Sequence, residues 1–287
     1  MFSLYQISNK SWYQKYFYHQ DQEIILAYLI QQERTFIFTH PEFKFSLTIL
    51  LRFLYYLSRR RQDYPLAYLV QKKEFYNLTF TVNKHTLIPR PESELFIDQI
   101  NIIQPAQEKI SDLGTSSGCL VITAAKLWPN NQFFGSDISK KALQIARCNG
   151  HAHATNITLL TGDLLTPYYQ NNIKPTIILA NLPYLKPEEL KEKTILHEPR
   201  GALLGGNNGL RVYKRLLEQI NQYHYQPKFL FLEINPEQVT QMTYLLQQKM
   251  PAYQYDLITD TQGLNRLVKI YLSSTKQELA LNKFINR

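Results

Sequence analysis

The sequence predicts an α/β protein in three parts: a helical bundle over residues 1–70, a β-hairpin linker over 71–90, and a parallel, doubly wound α/β domain over 91–287. Three observations carry this reading. Apolar residues recur at helical spacing up to about residue 70, with no strand signal between them. Polar and apolar residues then alternate in "KEFYNLTFTVN". From about residue 109, short apolar runs alternate with amphipathic helical stretches, the pattern of a parallel sheet with crossover helices.

In order, "DQEIILAYLIQQ" and "SLTILLRFLYYLSRRR" are expected to be helices, the second ending in a solvated basic terminus at Arg59, Arg60 and Arg61. In the linker, Phe75, Leu78, Phe80 and Val82 alternate with polar residues, and Asn77 suits the turn. "LIPRPESELFIDQI" starts a helix near Pro91, where proline fits the first turn and Glu92 and Glu94 suit the dipole. "KISDLG", "QFFGSDI", "ITLLTGDLL", "TIILANLPY" and "PKFLFLEIN" read as strands. "CLVITAAKLWP", "KKALQIARCNGHA", "GLRVYKRLLEQINQY" and "EQVTQMTYLLQQK" read as helices, and "QYDLITDTQGLNRLVKIYL" closes the sheet with two strands.

Composition limits the class. The chain has 287 residues, 44% hydrophobic and 19% charged, which is a globular balance and excludes a disordered chain. No run of about 18 apolar residues is present, so no membrane span is expected. "MFSLYQISNKSWYQKYFYHQ" has no apolar core and no arginine, so neither a secretory nor a transit peptide is expected. Cys119 and Cys148 have no metal or redox spacing, which suits a reducing compartment and a cytoplasmic location, and His40 and His197 have no ligand pattern; no metal is assigned. The net charge of +9 suits an acidic or nucleic-acid-bearing partner, or is plain lysine-rich composition.

Ligands of doubly wound sheets sit outside the carboxyl ends of the strands. In "DLGTSSG", Asp112 ends the first strand and Gly114 and Gly118 flank a turn into a helix; no Walker lysine follows, which disfavours a P-loop. Asp137 ends the second strand, where a carboxylate accepts from a ribose diol or else caps a helix. Asp163 ends the third, where it or its neighbouring backbone meets an adenine edge, or serves an ordinary turn. Asn181-Leu182-Pro183-Tyr184 follows the fourth. It is either a turn stopped by proline or a grip for an NH₂ group. In the second case the Asn181 side-chain oxygen and the Leu182 carbonyl accept two N–H bonds, and Tyr184 packs on the planar amide. Taken in order, these ends suit one adenosyl ligand, S-adenosylmethionine, beside a nitrogen that receives its methyl group.

On these blocks the chain resembles the HemK/PrmC family of protein-(glutamine-N5) methyltransferases. The resemblance covers "DQEIILAYLIQQERTFIFTHPE", the L-I-P-R-P-E-[TS]-E signature within "PLAYLVQKKEFYNLTFTVNKHTLIPRPESE", "EPRGALLGGNNGLRVYKRLL", "LEINPEQ" and "DTQGLNRLVKI". It implies a Rossmann-like methyltransferase domain carrying an N-terminal substrate-recognition bundle. S-adenosyl-L-methionine is the implied cofactor, held by Asp112, Gly114, Thr115, Ser116, Gly118, Asp137, Asp163 and Asn181. The implied substrate is the Gly-Gly-Gln glutamine of class I peptide-chain release factors, held by Asn181, Leu182, Pro183 and Tyr184 with Arg90 and Glu92; a local ion pair at the helix start is an equal reading for these last two. A monomer is expected, and direct nucleic-acid binding stays open. Three positions depart from the family pattern: Ser116 replaces a glycine, Leu182 a proline, and Thr176 an aspartate. The spelling Asn-Leu-Pro-Tyr also resembles the rRNA adenine dimethyltransferases. An adenine-N6 methyltransferase and a cofactor-binding homologue without turnover therefore remain as alternatives.

Overall fold

A computed structural model describes residues 2–3 and 19–272 of the chain. Residues 1 and 4–18 of the expected bundle, and with them most of the segment read for targeting signals, lie outside the described residues. The chain divides into two compact units: Met1–Lys72 with Glu192–His197, and Lys73–Lys191 with Glu198–Arg287.

The first unit holds a two-residue ladder between β1 (Phe2–Ser3) and β2 (Lys44–Phe45), too short for a periodicity signal, and the helices α1 (His19–Ile30), α2 (Arg34–Thr39), α3 (Leu47–Arg61) and α4 (Leu66–Val70). Ile25, Leu26, Leu29, Phe53, Leu57 and Leu69 form its core, as their helical spacing requires. Ser46 caps α3 by accepting from the Ile49 N–H. The basic end of α3 is engaged rather than simply solvated. Arg60 pairs with Asp21 at 2.7 Å, and the Arg59 guanidinium lies 4.4 Å from the Tyr64 ring centroid.

The hairpin of β3 (Lys72–Phe75) and β4 (Leu78–Thr81) follows, belonging to the second unit from Lys73 onward. Tyr76 and Asn77 both take positive φ, 47° and 60°, the left-handed geometry of a two-residue hairpin turn. The hairpin is not a free-standing linker. Phe75 and Phe80 are buried in one core with Phe96, Ile97, Ile110 and Phe231, so it packs as part of the second unit.

After a 3₁₀ turn at Pro91–Ser93 come α5 (Glu94–Ile103), β5 (Lys109–Leu113), α6 (Cys119–Leu127), β6 (Gln132–Asp137), α7 (Lys140–Ala152), β7 (Ile157–Thr161), α8 (Thr166–Gln170) and β8 (Ile177–Ala180). They are followed by α9 (Arg200–Leu203), α10 (Arg211–Gln222), β9 (Phe229–Glu233), α11 (Val239–Lys249), β10 (Tyr253–Thr259) and β11 (Asn265–Leu272). The sheet order is β10-β11-β9-β8-β5-β6-β7. The five strands β9, β8, β5, β6 and β7 are parallel, and β11 pairs antiparallel with both β9 and β10. One core lies on each face of the sheet, around Tyr213, Leu216 and Leu232 on one side and Phe96, Val121 and Phe231 on the other. The chain order reverses between β5 and β8, and this switch point places "DLGTSSG" beside "ANLPY". Thr176 lies at the opposite end of β8. Its hydroxyl accepts from the Lys109 N–H at 2.9 Å, so this departure from the family pattern joins two strand starts away from the switch point.

Candidate active site

A cleft of ≈ 510 Å³ opens at the switch point, lined by Gly114, Ser116, Asp137, Asp163, Asn181, Leu182 and Pro183 among others. Of the residues expected to hold the cofactor, Asp112, Thr115 and Gly118 do not line it. They build the turn beneath. Thr115 Oγ1 donates to Asp112 at 2.7 Å, and the Thr115 N–H donates to the Ser136 carbonyl at 2.8 Å. Burial pushes the Asp112 carboxyl up to about 7, opposed by the Thr115 hydroxyl and reinforced by Asp137.

Asp137 accepts from the Ser116 N–H at 3.0 Å and the Ser139 N–H at 2.8 Å, one on each oxygen. The Ile138 N–H also favours the ionised form, so three backbone donors serve a carboxylate that has about four acceptor sites. Burial raises its pKa against these bonds. Ser116 is left-handed, φ 54°, at the position where the family pattern has glycine. Its hydroxyl accepts from the Leu87 N–H at 2.8 Å, tying the turn to the 83–90 segment, from which His85 and Leu87 also line the cleft. Asp163 lines the cleft but both of its oxygens are engaged, by Arg215 at 2.7 Å and Gln219 at 3.2 Å. A contact between this carboxylate and an adenine would compete with that ion pair.

Arg90 does not pair locally with Glu92. It forms a salt bridge to Glu198, whose second oxygen accepts from the Ile88 N–H at 3.0 Å. Glu198 therefore anchors the Leu87–Arg90 strap, and none of Arg90, Glu92 and Tyr184, all expected to hold the substrate, lines the cleft.

The loop after β8 is fixed from several sides. Leu182 is buried, and its side chain lies 3.3 Å from where a Gly114 Cβ would stand. The Leu182 carbonyl faces the buried Tyr213 hydroxyl at 3.2 Å, which also donates to the Glu233 carbonyl. Gln238 donates to the Tyr184 carbonyl at 2.8 Å, and the Tyr184 hydroxyl donates to Glu233 at 3.2 Å. Asn181 Nδ2 donates to Ser93 Oγ at 2.8 Å. A side chain at Gly209, φ 74°, would meet the Tyr184 carbonyl at 2.2 Å, and one at Gly205 the Pro183 carbonyl at 2.6 Å. The glycine segment thus packs on the Asn-Leu-Pro-Tyr backbone. Sequence reasoning missed Ser93, Glu233 and Gln238 as parts of this site, although "LEINPEQ" and the signature that contains Ser93 were the available signals.

The residues fit an adenosyl ligand. Asp137 offers a carboxylate at the strand end, and the exposed Ile138 with Leu164 gives the cleft an apolar wall for a flat ring. With the sheet order and the Asn-Leu-Pro-Tyr loop, this defines a methyltransferase that uses S-adenosylmethionine.

Residues 91–203 match the methyltransferase small domain model, and residues 18–70 the PrmC N-terminal domain model. The chain is 30% identical to the release factor glutamine methyltransferase of Bacillus subtilis strain 168 over 266 residues, which cover 88% of this chain and 91% of that protein. It is also 30% identical to the release factor glutamine methyltransferase of Staphylococcus aureus, over 89% of this chain and 93% of that one. The chain belongs to the release factor glutamine methyltransferase family. The fold is shared more widely. It is similar to the hMettl16 catalytic domain crystallised with a MAT2A 3′UTR hairpin, with TM-score 0.59, 14% identity, and 86% of this chain and 90% of that one covered.

Proposed function

We propose that the protein methylates the side-chain nitrogen of the glutamine in the Gly-Gly-Gln motif of class I release factors, acting in the cytoplasm as a monomer. The observation that carries this reading is the polarity of Asn181. Its Nδ2 is turned inward to Ser93, and among the described residues no protein donor reaches Oδ1. That leaves an acceptor for a substrate N–H at the edge of the cleft.

S-adenosylmethionine, when bound, supplies an electrophilic methyl group on a sulfonium. Asp137 is the residue that would hold its ribose, with Gly114 and Ser116 forming the turn beside it and the backbone around Asp163 and Leu164 bounding the adenine slot. A carboxamide nitrogen is a weak nucleophile because its lone pair is delocalised. The chain's contribution is orientation. Asn181 Oδ1 and the remaining lone pair of the Leu182 carbonyl accept from the two N–H bonds, and Tyr184, outside the cleft lining, braces the loop through its hydroxyl on Glu233. Positioning of this kind supplies on the order of 7–11 kcal/mol in favourable cases. Pro183 fixes the turn, and residues 1–70 contribute recognition of the intact factor. Leu182 keeps the role assigned to its main chain, so its replacement of proline is compatible with turnover.

The same loop fits an adenine amine, which is also a planar NH₂. A competition separates the two: equimolar release factor and unmethylated small-subunit rRNA particles receive labelled methyl groups, with mass spectrometry of both. Label on the Gly-Gly-Gln glutamine, abolished when that glutamine is alanine, supports the proposal. Label on RNA adenines alone overturns it, and label on neither favours a cofactor-binding protein without turnover.

A further inference from the structure

We infer that Glu233 and Ser93 form a relay that sets which end of the Asn181 amide faces the substrate. The inference rests on the reading of Asn181 as the acceptor for a substrate NH₂, and it deepens that reading by assigning two positioning residues.

The geometry is a chain of hydrogen bonds with one direction. Ser93 Oγ donates to Glu233 Oε2 at 2.6 Å, and Asn181 Nδ2 donates to Ser93 Oγ at 2.8 Å. Glu233 and Ser93 are both buried, at 3% and 2% exposure, so water cannot replace these partners. An ionised carboxylate only accepts. Ser93 has a single proton and must give it to Glu233, so its oxygen can only accept from Asn181. The amide is thereby locked with NH₂ inward and Oδ1 outward. The neutral carboxyl carries a proton of its own. It can donate to Ser93, whose proton is then free to turn toward Asn181. The amide is no longer held in one orientation, and its flipped form presents NH₂ to the substrate NH₂, donor against donor.

The surroundings of Glu233 allow this exchange near neutrality. It ends β9 and is faced by Ser93 from the 3₁₀ turn, Tyr184 from the Asn-Leu-Pro-Tyr loop, Tyr213 from α10, Arg266 from β11, Glu92 and Cys119. Burial pushes its carboxyl up to about 7. The Ser93 and Tyr184 hydroxyls and the Arg266 charge oppose the shift, and Glu92 adds to it. Arg266 does not neutralise it directly, because its guanidinium pairs with Asp260 at 2.9 Å.

The test uses the full chain and whichever NH₂ acceptor, release factor or rRNA, the wild type methylates, so failure of the substrate assignment is read separately from failure of the relay. At saturating cofactor, kcat rises with pH through about 7 in the wild type. Asp112, which also titrates near neutrality, lies beneath the cofactor turn and is read in cofactor affinity instead. Glu233→Gln removes the rising limb while cofactor affinity stays within about twofold. Ser93→Ala lowers kcat by about 100-fold, the scale of a misplaced reacting group, and Ser93→Thr restores it. In a protein that turns over no acceptor, the side-chain amide of Asn181, followed by ¹⁵N NMR, titrates near pH 7 in the wild type but in neither Glu233→Gln nor Ser93→Ala. An unchanged limb in Glu233→Gln, an amide signal that ignores pH in the wild type, or full activity in Ser93→Ala overturns the relay.

Discussion

The Ser116 hydroxyl accepts from the backbone N–H of Leu87 at 2.8 Å, joining the turn after β5 to the segment that leads into the Pro-Arg-Pro strap. The serine replaces a family glycine while keeping the left-handed backbone, φ 54°. A loss of pre-organisation in the turn is therefore set against a new contact.

Two substitutions at Ser116 separate these effects. Ser116→Ala loses the bond and keeps the backbone cost, so it destabilises by roughly 1 kcal/mol. Ser116→Gly also loses the bond but recovers roughly 1–2 kcal/mol of left-handed backbone cost, offset in part by the greater freedom of glycine in the unfolded chain, and its stability stays near wild type. Urea denaturation reads the order, wild type and glycine above alanine. Hydrogen exchange of the Leu87 amide speeds up in both variants. If alanine proves as stable as wild type, the Leu87 bond has no weight.

Asp137→Asn weakens binding of S-adenosylmethionine. Both oxygens already accept from backbone N–H groups, so an amide at this position opposes a donor to a donor. Loss of a charged acceptor costs about 1.5–3 kcal/mol. Calorimetry measures it, and an unchanged affinity would take Asp137 out of the site.

Gly209→Ala damages the Asn-Leu-Pro-Tyr loop from a distance in sequence. The added carbon would stand 2.2 Å from the Tyr184 carbonyl at a positive φ of 74°. Relief requires moving either the loop or the glycine segment, at about 2 kcal/mol or more. Thermal denaturation should show the loss, and turnover should fall further than cofactor affinity does. A variant with wild-type kcat would mean that the loop tolerates the shift.

Stability carries a pH signature of the opposite sign to turnover. The carboxyls of Asp112 and Glu233 rise from ordinary values of 3.8 and 4.5 to about 7, with burial as the first cause in both. The fold favours their neutral forms. This contribution is full below the unfolded values and is lost as pH rises through about 7. Melting temperature should therefore decline between about pH 4 and 7 and level off above that, and the decline should shrink in Asp112→Asn and in Glu233→Gln. A slope equal to wild type in both variants would place its origin elsewhere.

Much of the fold was legible because its signals are local. Helical spacing gave α1 and α3, alternation gave the hairpin, and the short apolar runs gave the parallel strands with Asp112, Asp137 and Asn181 at or next to their ends. Brief elements without a full period, such as the β1–β2 ladder and α8, left no pattern to read.

The sequence by itself determined which residues reach the strand ends, since a strand's length and its terminating turn are written in adjacent positions. Only the tertiary structure decided what those residues touch. Arg90 finds Glu198 across 108 positions rather than Glu92 beside it, and Ser93 finds Glu233 across 140. Asp163 is held by Arg215 from a helix 52 positions later. Periodicity reports which face of an element is apolar, but not which element that face will meet. Partners brought together by the crossover of β8 to the side of β5 leave no mark in the spacing of either segment.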